Sequence, residues 1–220
     1  MNSVIAYIAR NSRYALPRNW RAGAKAIYRR LSKSGILFAA DELAMASLRP
    51  SLKVARVIEL VAPLTVVDMG CGTGVALRQF VEAGVSAVGV EASRAAIRAS
   101  NCPDLITRHD LRSPLDMGRR FDMVWCFEVA EHIHPRYVET FVDNLCRHAD
   151  TIALSAASPG QGGEGHFNEQ PQSYWVAMFA KRGYHLHQDW TAQLHAVQEF
   201  YSENMMVFCK TSPLGARRDG

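Results

Sequence analysis

The chain has 220 residues, a formal net charge of +4 and 48% hydrophobic residues. This length supports one sizeable core and is short for two. No apolar run reaches the roughly 18 residues needed to cross a bilayer, which argues against a protein built from membrane-spanning helices. The five cysteines are dispersed without a Cys-x-x-Cys pair, a pattern that indicates reduced thiols rather than a disulfide-stabilised secreted domain. We therefore expect a globular, cytoplasmic protein.

The positive charge is concentrated at the N-terminus. Residues 1–40 contain no acidic residue, and we predict that they form a basic, partly helical arm. Such an arm suits contact with nucleic acid, an anionic surface or an acidic substrate, whereas a solvated extension without a partner is the alternative. In a eukaryotic source the same composition would resemble a mitochondrial presequence. The basic residues are Arg10, Arg13, Arg18, Arg21, Lys25, Arg29, Arg30 and Lys33.

Hydrophobic periodicity divides residues 41–210 into helices and strands, and we predict a flexible polar tail over residues 211–220. Apolar residues at helical spacing predict two helices over residues 41–61, separated by Pro50. The elements predicted after them are, in chain order, strand 65–68, helix 75–83, strand 86–90, helix 93–100, strand 105–108, strand 121–127, helix 136–146, strand 151–156, helix 171–181, strand 184–189 and strand 205–210.

This order of elements predicts one α/β domain over residues 41–210, with a Rossmann-like, doubly wound and mostly parallel seven-stranded sheet. The last two strands have only a polar stretch between them. We therefore predict that they form an antiparallel hairpin at one edge of the sheet.

The first strand runs into a glycine-rich turn that reads D-x-G-x-G-x-G, from Asp68 to Gly74. A turn of this kind, between a strand and a helix, is where open α/β sheets bind nucleotide-like ligands. The dinucleotide pattern G-x-G-x-x-G requires a third glycine, but Val75 or Leu77 stands there. A nicotinamide-dependent oxidoreductase is therefore the less favoured reading. Asp68 would repel a pyrophosphate and suits a ligand that carries an ammonium group.

Two further acids follow predicted strands. Glu91 ends the second strand, 21 residues after Gly70, where a carboxylate accepts hydrogen bonds from ribose hydroxyls in doubly wound folds. The alternative is an acid that stabilises the N-terminus of the next helix. Asp110 follows the third strand, where an adenine contact and a turn-capping role are equally consistent with the spacing.

These motifs, in this order, resemble the class I S-adenosylmethionine-dependent methyltransferases over about residues 50–210. The resemblance rests on Val66–Gly74, Gly89–Glu91, His109–Leu111 and Phe121–Glu128. It implies that S-adenosylmethionine is the cofactor. It further implies that Asp68 and the backbone of Gly70, Gly72 and Gly74 hold the methionine moiety, that Glu91 binds the ribose, that Asp110 and Leu111 flank the adenine, and that Cys126 lies beside the cofactor.

The segment Glu128–His134 directly follows the fourth strand and reads E-V-A-E-H-I-H. If this turn is helical, Glu128, Glu131 and His132 share one face. Two carboxylates and an imidazole suit Mg²⁺, Mn²⁺ or Fe²⁺, and His166, in the loop after the fifth strand, offers a fourth ligand. Metal-free acid–base chemistry by the same residues and a purely structural role are the alternatives. The quartet resembles that of the ubiquinone-pathway O-methyltransferases and the small-RNA 2′-O-methyltransferases.

The loop 158–170 is rich in glycine but also carries a polar run, which favours a substrate-closing lid over a simple connection. We expect O-methylation of a hydroxyl on a small metabolite or natural-product intermediate, with His132 or His166 as metal ligand or base. An enzyme that acts on RNA, or an RNA-associated binding module, is the alternative that uses the basic arm. The sequence does not define the oligomeric state.

Overall fold

The structure is a computed structural model that describes residues 51–210. The predicted basic arm and polar tail lie outside the described residues. None of the helices within residues 51–210 has the length and apolar character that a membrane span requires.

Seven strands form one sheet in the order β3-β2-β1-β4-β5-β7-β6. Strands β1 to β5 are parallel, and β7 runs antiparallel to both β5 and β6. The chain builds outward from β1 to β3 and then returns to the other side of β1, so a crevice opens at the carboxyl ends of β1 and β4. The strands are β1 (Thr65–Met69), β2 (Ser86–Glu91), β3 (Ile106–Arg108), β4 (Phe121–Cys126), β5 (Ala149–Ser155), β6 (Tyr184–Leu186) and β7 (Met205–Lys210).

Helices cover both faces of the sheet, because successive residues of a strand point to opposite faces. Val66 packs in one apolar cluster with Leu77 of α2, and Val67 packs in a second cluster with Phe141 of α4 and Trp175 of α5. Since both faces are buried, β4 reads as a nearly continuous apolar run. The helices are α1 (Leu52–Val61), α2 (Val75–Glu82), α3 (Arg94–Ala99), α4 (Val138–His148), α5 (Gln172–Ala180) and α6 (Gln188–His195).

The predicted fold class is confirmed, including the antiparallel edge, but the link between the last two strands differs from the prediction. The polar stretch contains α6, whose N-terminus is capped by His187 because its Nδ1 accepts a hydrogen bond from the Trp190 N–H at 3.3 Å. Thr191 and Leu194 are buried and three residues apart, a spacing too sparse to identify the helix from sequence. The helix predicted over residues 136–146 begins at Val138 instead, after a 3₁₀ turn at Pro135–Tyr137.

Candidate functional site

The turn between β1 and α2 presents backbone without side chains at the crevice, because three of its residues are glycines. Gly70, Gly72 and Gly74 have positive φ angles of 82°, 57° and 79°, which glycine adopts without strain. At Gly70 a Cβ atom would also overlap the side chain of Val129. Both the backbone conformation and the segment after β4 therefore require glycine at this position.

Asp68 is a buried acid with an unsatisfied oxygen. Its side chain is 2% exposed, and Oδ2 has no hydrogen-bond partner within the described part of the chain. Burial, and then the negative charge of Glu91, raise the pKa of Asp68 to about 8. A buried carboxyl oxygen without a donor is costly. An ammonium group bound here would supply both the missing donor and a compensating charge.

Glu91 connects the glycine turn to α3. Its Oε2 accepts a hydrogen bond from the Gly72 N–H at 2.9 Å, and its Oε1 accepts one from the Ser93 N–H at 2.7 Å. Glu91 thus lies both at the glycine turn and next to the N-terminus of α3, and its predicted ribose contact stays a prediction. Each carboxylate oxygen has a second lone pair for a ligand hydroxyl.

Asp110 lies in a different environment from Leu111 and Cys126. Asp110 is paired with Arg112, whose Nη2 donates to Oδ2 at 2.6 Å, and this pairing lowers the pKa of Asp110. Leu111 and Cys126 are buried in the same apolar cluster. Burial raises the pKa of the Cys126 thiol well above its usual value, so it stays neutral. The cofactor contacts predicted for these three residues stay predictions.

Glu131, His132 and His166 come together at the carboxyl ends of β4 and β5. Each offers one ligand atom, and these atoms lie within 4.8 Å of one another. Glu131 is fully buried, and neither of its carboxylate oxygens has a hydrogen-bond partner among residues 51–210. Burial, and then the charge of Glu128, raise the pKa of Glu131 to about 9. Burial lowers the pKa of His132, which favours its neutral form.

Glu128 lies outside this group of three. The condition of a helical turn is not met, because only Ala130–His132 form a 3₁₀ turn and Glu128 has a left-handed φ of 54°. Its Oε1 accepts hydrogen bonds from Ser155 Oγ at 2.8 Å and from Asn204 Nδ2 at 3.3 Å. The predicted role of Glu128 as a metal ligand stays a prediction.

The loop 158–170 reaches this turn through backbone hydrogen bonds. The N–H groups of Phe167 and Asn168 donate to the carbonyl oxygen of Glu131 at 2.9 and 3.1 Å. His132 Nδ1 lies 3.1 Å from the carbonyl oxygen of Gly165. A carbonyl oxygen only accepts, so Nδ1 carries the proton and the lone pair of the neutral ring is on Nε2. The loop thereby brings His166 to within 5.0 Å of His132, measured between ring centroids.

A small cleft of about 90 Å³ is lined in part by Asn204, which donates a hydrogen bond to Glu128. Asn204 lines it and connects it to the loop, because Nδ2 also donates to Gln161 Oε1 at 2.9 Å. The other polar groups at its wall are Ser158, Gln170, Gln172, His195 and Glu203. The cleft therefore offers hydrogen-bonding groups, one of which, Asn204, also contacts Glu128.

Sequence analysis did not assign roles to Ser155, Asn204, Glu169 or Lys53. Glu169 lies in the polar run of the loop, which was a signal, whereas Asn204 has none because its partner Glu128 is 76 residues away. Lys53 is 3% exposed, pairs with Glu199 at 2.9 Å and lies over the Phe127 ring at 4.8 Å. Burial lowers the pKa of Lys53.

Comparisons with known proteins identify a matching family model, a curated relative and solved structures of the same fold. Residues 45–151 match a family model described as a methyltransferase domain. A ubiquinone biosynthesis O-methyltransferase from Nitrobacter winogradskyi is 28% identical over 110 residues, which cover 47% of this chain and 41% of that protein. The chain thus matches less than half the length of this relative.

Two solved structures show the same fold. An S-adenosylmethionine-bound amino pentose methyltransferase from Micromonospora echinaspora, involved in calicheamicin biosynthesis, has a TM-score of 0.62 and 16% identity, covering 79% of this chain and 98% of its own. Magnesium protoporphyrin IX methyltransferase from Synechocystis PCC 6803 has a TM-score of 0.55 and 17% identity, covering 72% and 82%. Residues 45–151 thus match a methyltransferase domain, and residues 51–210 share their fold with solved S-adenosylmethionine-dependent methyltransferases.

Proposed function

We propose that this protein transfers the methyl group of S-adenosylmethionine to a hydroxyl oxygen of a small metabolite or natural-product intermediate. One observation carries the proposal. Glu131 is fully buried, neither of its carboxylate oxygens has a hydrogen-bond partner within residues 51–210, and its ligand atom lies within 4.8 Å of those of two imidazoles. Burying such a group without partners lowers the stability of the fold, which favours a functional role for it. A carboxyl group beside two imidazoles suits the activation of a hydroxyl.

The residues at the glycine turn support the cofactor part of the proposal. The unsatisfied Oδ2 of Asp68 would accept from the ammonium group, and the remaining lone pairs of Glu91 would accept from the ribose hydroxyls. We assign the adenine contacts to Asp110 and Leu111, and a position beside the cofactor to Cys126. The cofactor supplies an activated methyl group on a positively charged sulfur, so the protein mainly positions the acceptor.

A hydroxyl acceptor has a high pKa and needs help to lose its proton. In the proposed step the methyl carbon forms a bond to the acceptor oxygen as its bond to sulfur breaks, and a neutral thioether leaves. The hydroxyl proton passes to a base. His132 suits this role because burial lowers its pKa and keeps the ring neutral, whereas Glu131, with its pKa near 9, holds its own proton at neutral pH.

A divalent cation fits the same residues. The unsatisfied oxygens of Glu131 and the imidazole nitrogens of His132 and His166 form a mixed oxygen and nitrogen donor set of the kind that Mg²⁺, Mn²⁺ or Fe²⁺ accepts. Glu128 is the fourth residue of the predicted set. When bound, such a cation would lower the pKa of a coordinated hydroxyl.

The proposal is tested by transfer of a tritiated methyl group to a panel of acceptors that present hydroxyl, amine or RNA 2′-hydroxyl groups, with Mn²⁺ and with EDTA. We expect a small hydroxyl acceptor to be labelled, and labelling to fall in EDTA if the cation is used. Labelling of amines alone would contradict O-methylation. Titration calorimetry with S-adenosylmethionine and NADH tests the cofactor, and binding of NADH alone would contradict the whole proposal.

An RNA acceptor is the second candidate, favoured by the eight basic and no acidic residues of residues 1–40. Contacts from such residues to phosphates make binding salt-dependent. Labelling of the RNA in the same panel, weakened by added salt, would favour this candidate over a small molecule.

A further inference from the structure

The glycine-rich loop is organised by one side chain, that of Glu169. Its Oε2 accepts a hydrogen bond from the Gly160 N–H at 2.9 Å, and its Oε1 accepts one from the Gly162 N–H at 2.7 Å. Oε1 also lies 2.8 Å from Nδ1 of His166. One carboxylate therefore connects the start of the loop to its single histidine.

This arrangement fixes which nitrogen of His166 carries the proton. An ionised carboxylate only accepts, so Nδ1 of His166 must donate and the lone pair of the neutral ring is on Nε2. The carbonyl of Gly165 has the same effect on His132. Both imidazoles of the cluster thus present the same nitrogen, Nε2, as their electron-pair donor.

The same carboxylate also sets the shape of the loop. Gly160 and Gly162 have positive φ angles of 84° and 71°, and their two amides converge on the carboxylate in the manner of a backbone anion nest. Beyond His166, the amides of Phe167 and Asn168 are held by the carbonyl oxygen of Glu131. The loop is therefore held on both sides of His166. The Glu169 carboxylate binds the amides before it, and the Glu131 carbonyl binds the amides after it.

We infer that Glu169 is a positioning residue of the candidate site, which holds the Nδ1–H tautomer of His166 and keeps the loop in the shape that brings this ring to Glu131 and His132. The catalytic meaning of this role rests on the proposed function. The role itself concerns only groups of this chain, and it is measurable without an acceptor. Partners of this kind, behind a ligating histidine, typically change metal affinity or activity by about 10- to 100-fold when they are removed.

Histidine NMR on the full chain tests the inference. We would record long-range ¹H–¹⁵N spectra of the ring nitrogens near neutral pH and assign His166 by its absence in His166→Gln. In the native protein we expect a protonated Nδ1 and an unprotonated Nε2. In Glu169→Ala we expect the proton to redistribute toward Nε2, and the amide signals of Gly160 and Gly162 to shift. An unchanged tautomer in Glu169→Ala would overturn the inference.

Two further variants separate positioning from general damage to the loop. Glu164→Ala is the matched control, because Glu164 lies in the same loop, is exposed and takes no part in these hydrogen bonds; we expect native spectra. Glu169→Gln keeps an oxygen for Gly162 and His166 but removes an acceptor from Gly160. It should therefore restore the His166 tautomer and leave the Gly160 amide shifted, and a tautomer as altered as in Glu169→Ala would count against the inference.

Binding of Mn²⁺, followed by electron paramagnetic resonance, keeps this inference separate from the proposed function. We expect Glu169→Ala to weaken Mn²⁺ binding by about tenfold or more, while calorimetry shows native affinity for S-adenosylmethionine. Absence of Mn²⁺ binding in the native protein would contradict the metal-assisted form of the proposed function, and the tautomer measurement would still decide the role of Glu169.

Discussion

At the scale of single residues, the site contains acids that folding has placed in unfavourable surroundings. Asp68 and Glu131 are both buried with oxygens that find no hydrogen-bond partner in the described part of the chain. The pKa of each is raised, to about 8 and about 9. Perturbed groups of this kind concentrate at functional sites. Each acid gives a prediction.

The pKa of Asp68 predicts a pH-dependent cost to stability. The unfolded chain ionises this group near pH 3.9, whereas the folded protein keeps the proton up to about pH 8. Stability contributed by the protonated form is therefore present at low pH and lost as the pH rises from about 4 to 8. We expect Asp68→Asn, without cofactor, to have the higher melting temperature at pH 8, by a margin that shrinks toward pH 4.

The same variant should bind the cofactor poorly. In the native protein near pH 7, binding of an ammonium group ionises Asp68 and releases a proton, which calorimetry in buffers of different ionisation enthalpy detects. We expect Asp68→Asn to lose this proton release and at least about tenfold in affinity. Asp104→Asn, a change at an exposed acid, is the control. Native affinity in Asp68→Asn would remove Asp68 from the cofactor site.

Glu131→Gln keeps the size of the side chain but replaces the ionisable carboxyl group by an amide, which removes one oxygen and cannot become a carboxylate ligand. We expect native affinity for S-adenosylmethionine, loss of Mn²⁺ binding, and a fall in the turnover number of about 10²-fold or more, typical for loss of acid–base chemistry. Steady-state methyl transfer with the acceptor found in the panel provides the measurement, with Glu164→Gln as the control. Unchanged turnover would show that the cluster is structural.

At the scale of elements, the site depends on turns that hold one another. The glycine turn after β1 is packed against Val129, which follows β4, and the 3₁₀ turn at Ala130–His132 is hydrogen-bonded to the loop after β5. Three separate connections therefore share one packed surface. The loop that we predicted as a lid is anchored there at Phe167 and Asn168, and its role in closure stays a prediction.

Gly70 and Gly84 allow two effects of a glycine substitution to be measured apart: backbone strain at positive φ and overlap of a Cβ atom with a neighbour. Both have positive φ, 82° and 84°, but a Cβ at Gly84 would meet nothing within 4 Å, whereas one at Gly70 would overlap Val129. We expect Gly84→Ala to lower the free energy of unfolding by about 1–2 kcal/mol from backbone strain alone. Gly70→Ala should lower it further and also weaken cofactor binding.

Denaturant unfolding and cofactor titration of both variants provide the measurement. Equal losses of stability, with native cofactor affinity in each, would mean that the contact between the glycine turn and Val129 has no importance for the site.

At the scale of the whole molecule, sheet topology assembles the site. The order β2-β1-β4-β5 places the carboxyl ends of four parallel strands side by side. Asp68 and Glu91 lie at or near the ends of β1 and β2, and Glu131 and His166 lie in the connections after β4 and β5. One edge of the sheet thus carries all four, although nearly 100 residues separate the first from the last. The antiparallel β7 adds Asn204, just before its start, to the same edge.

The basic arm gives a prediction at this scale. We expect the full-length variant with Arg29→Gln, Arg30→Gln and Lys33→Gln to elute from heparin at lower salt, because fewer counterions are released on binding. Its methyl transfer to a small hydroxyl acceptor should be native. A loss of this activity would instead assign the arm to the acceptor site.

The sequence identified the strands, the glycine turn and the acids near the strand ends, because each depends on local signals such as apolar runs, glycine spacing and chain order. It missed α6, which has only two buried residues, Thr191 and Leu194. It also left open whether the turn at Glu128 is helical, and the backbone there is left-handed. Partners such as Ser155 and Glu169 were also missed, since a hydrogen bond between distant segments leaves no periodic pattern.

The sequence by itself thus determined the fold class and the residue types available for chemistry. Only the tertiary structure decided which of them lie together: Glu131, His132 and His166 form one group, Glu128 is hydrogen-bonded to Ser155 and Asn204, and Glu169 contacts His166. The reason is physical. Local signals specify where strands begin and end, but burial, and with it the pKa of an acid or the tautomer of a histidine, depends on segments that only folding brings together.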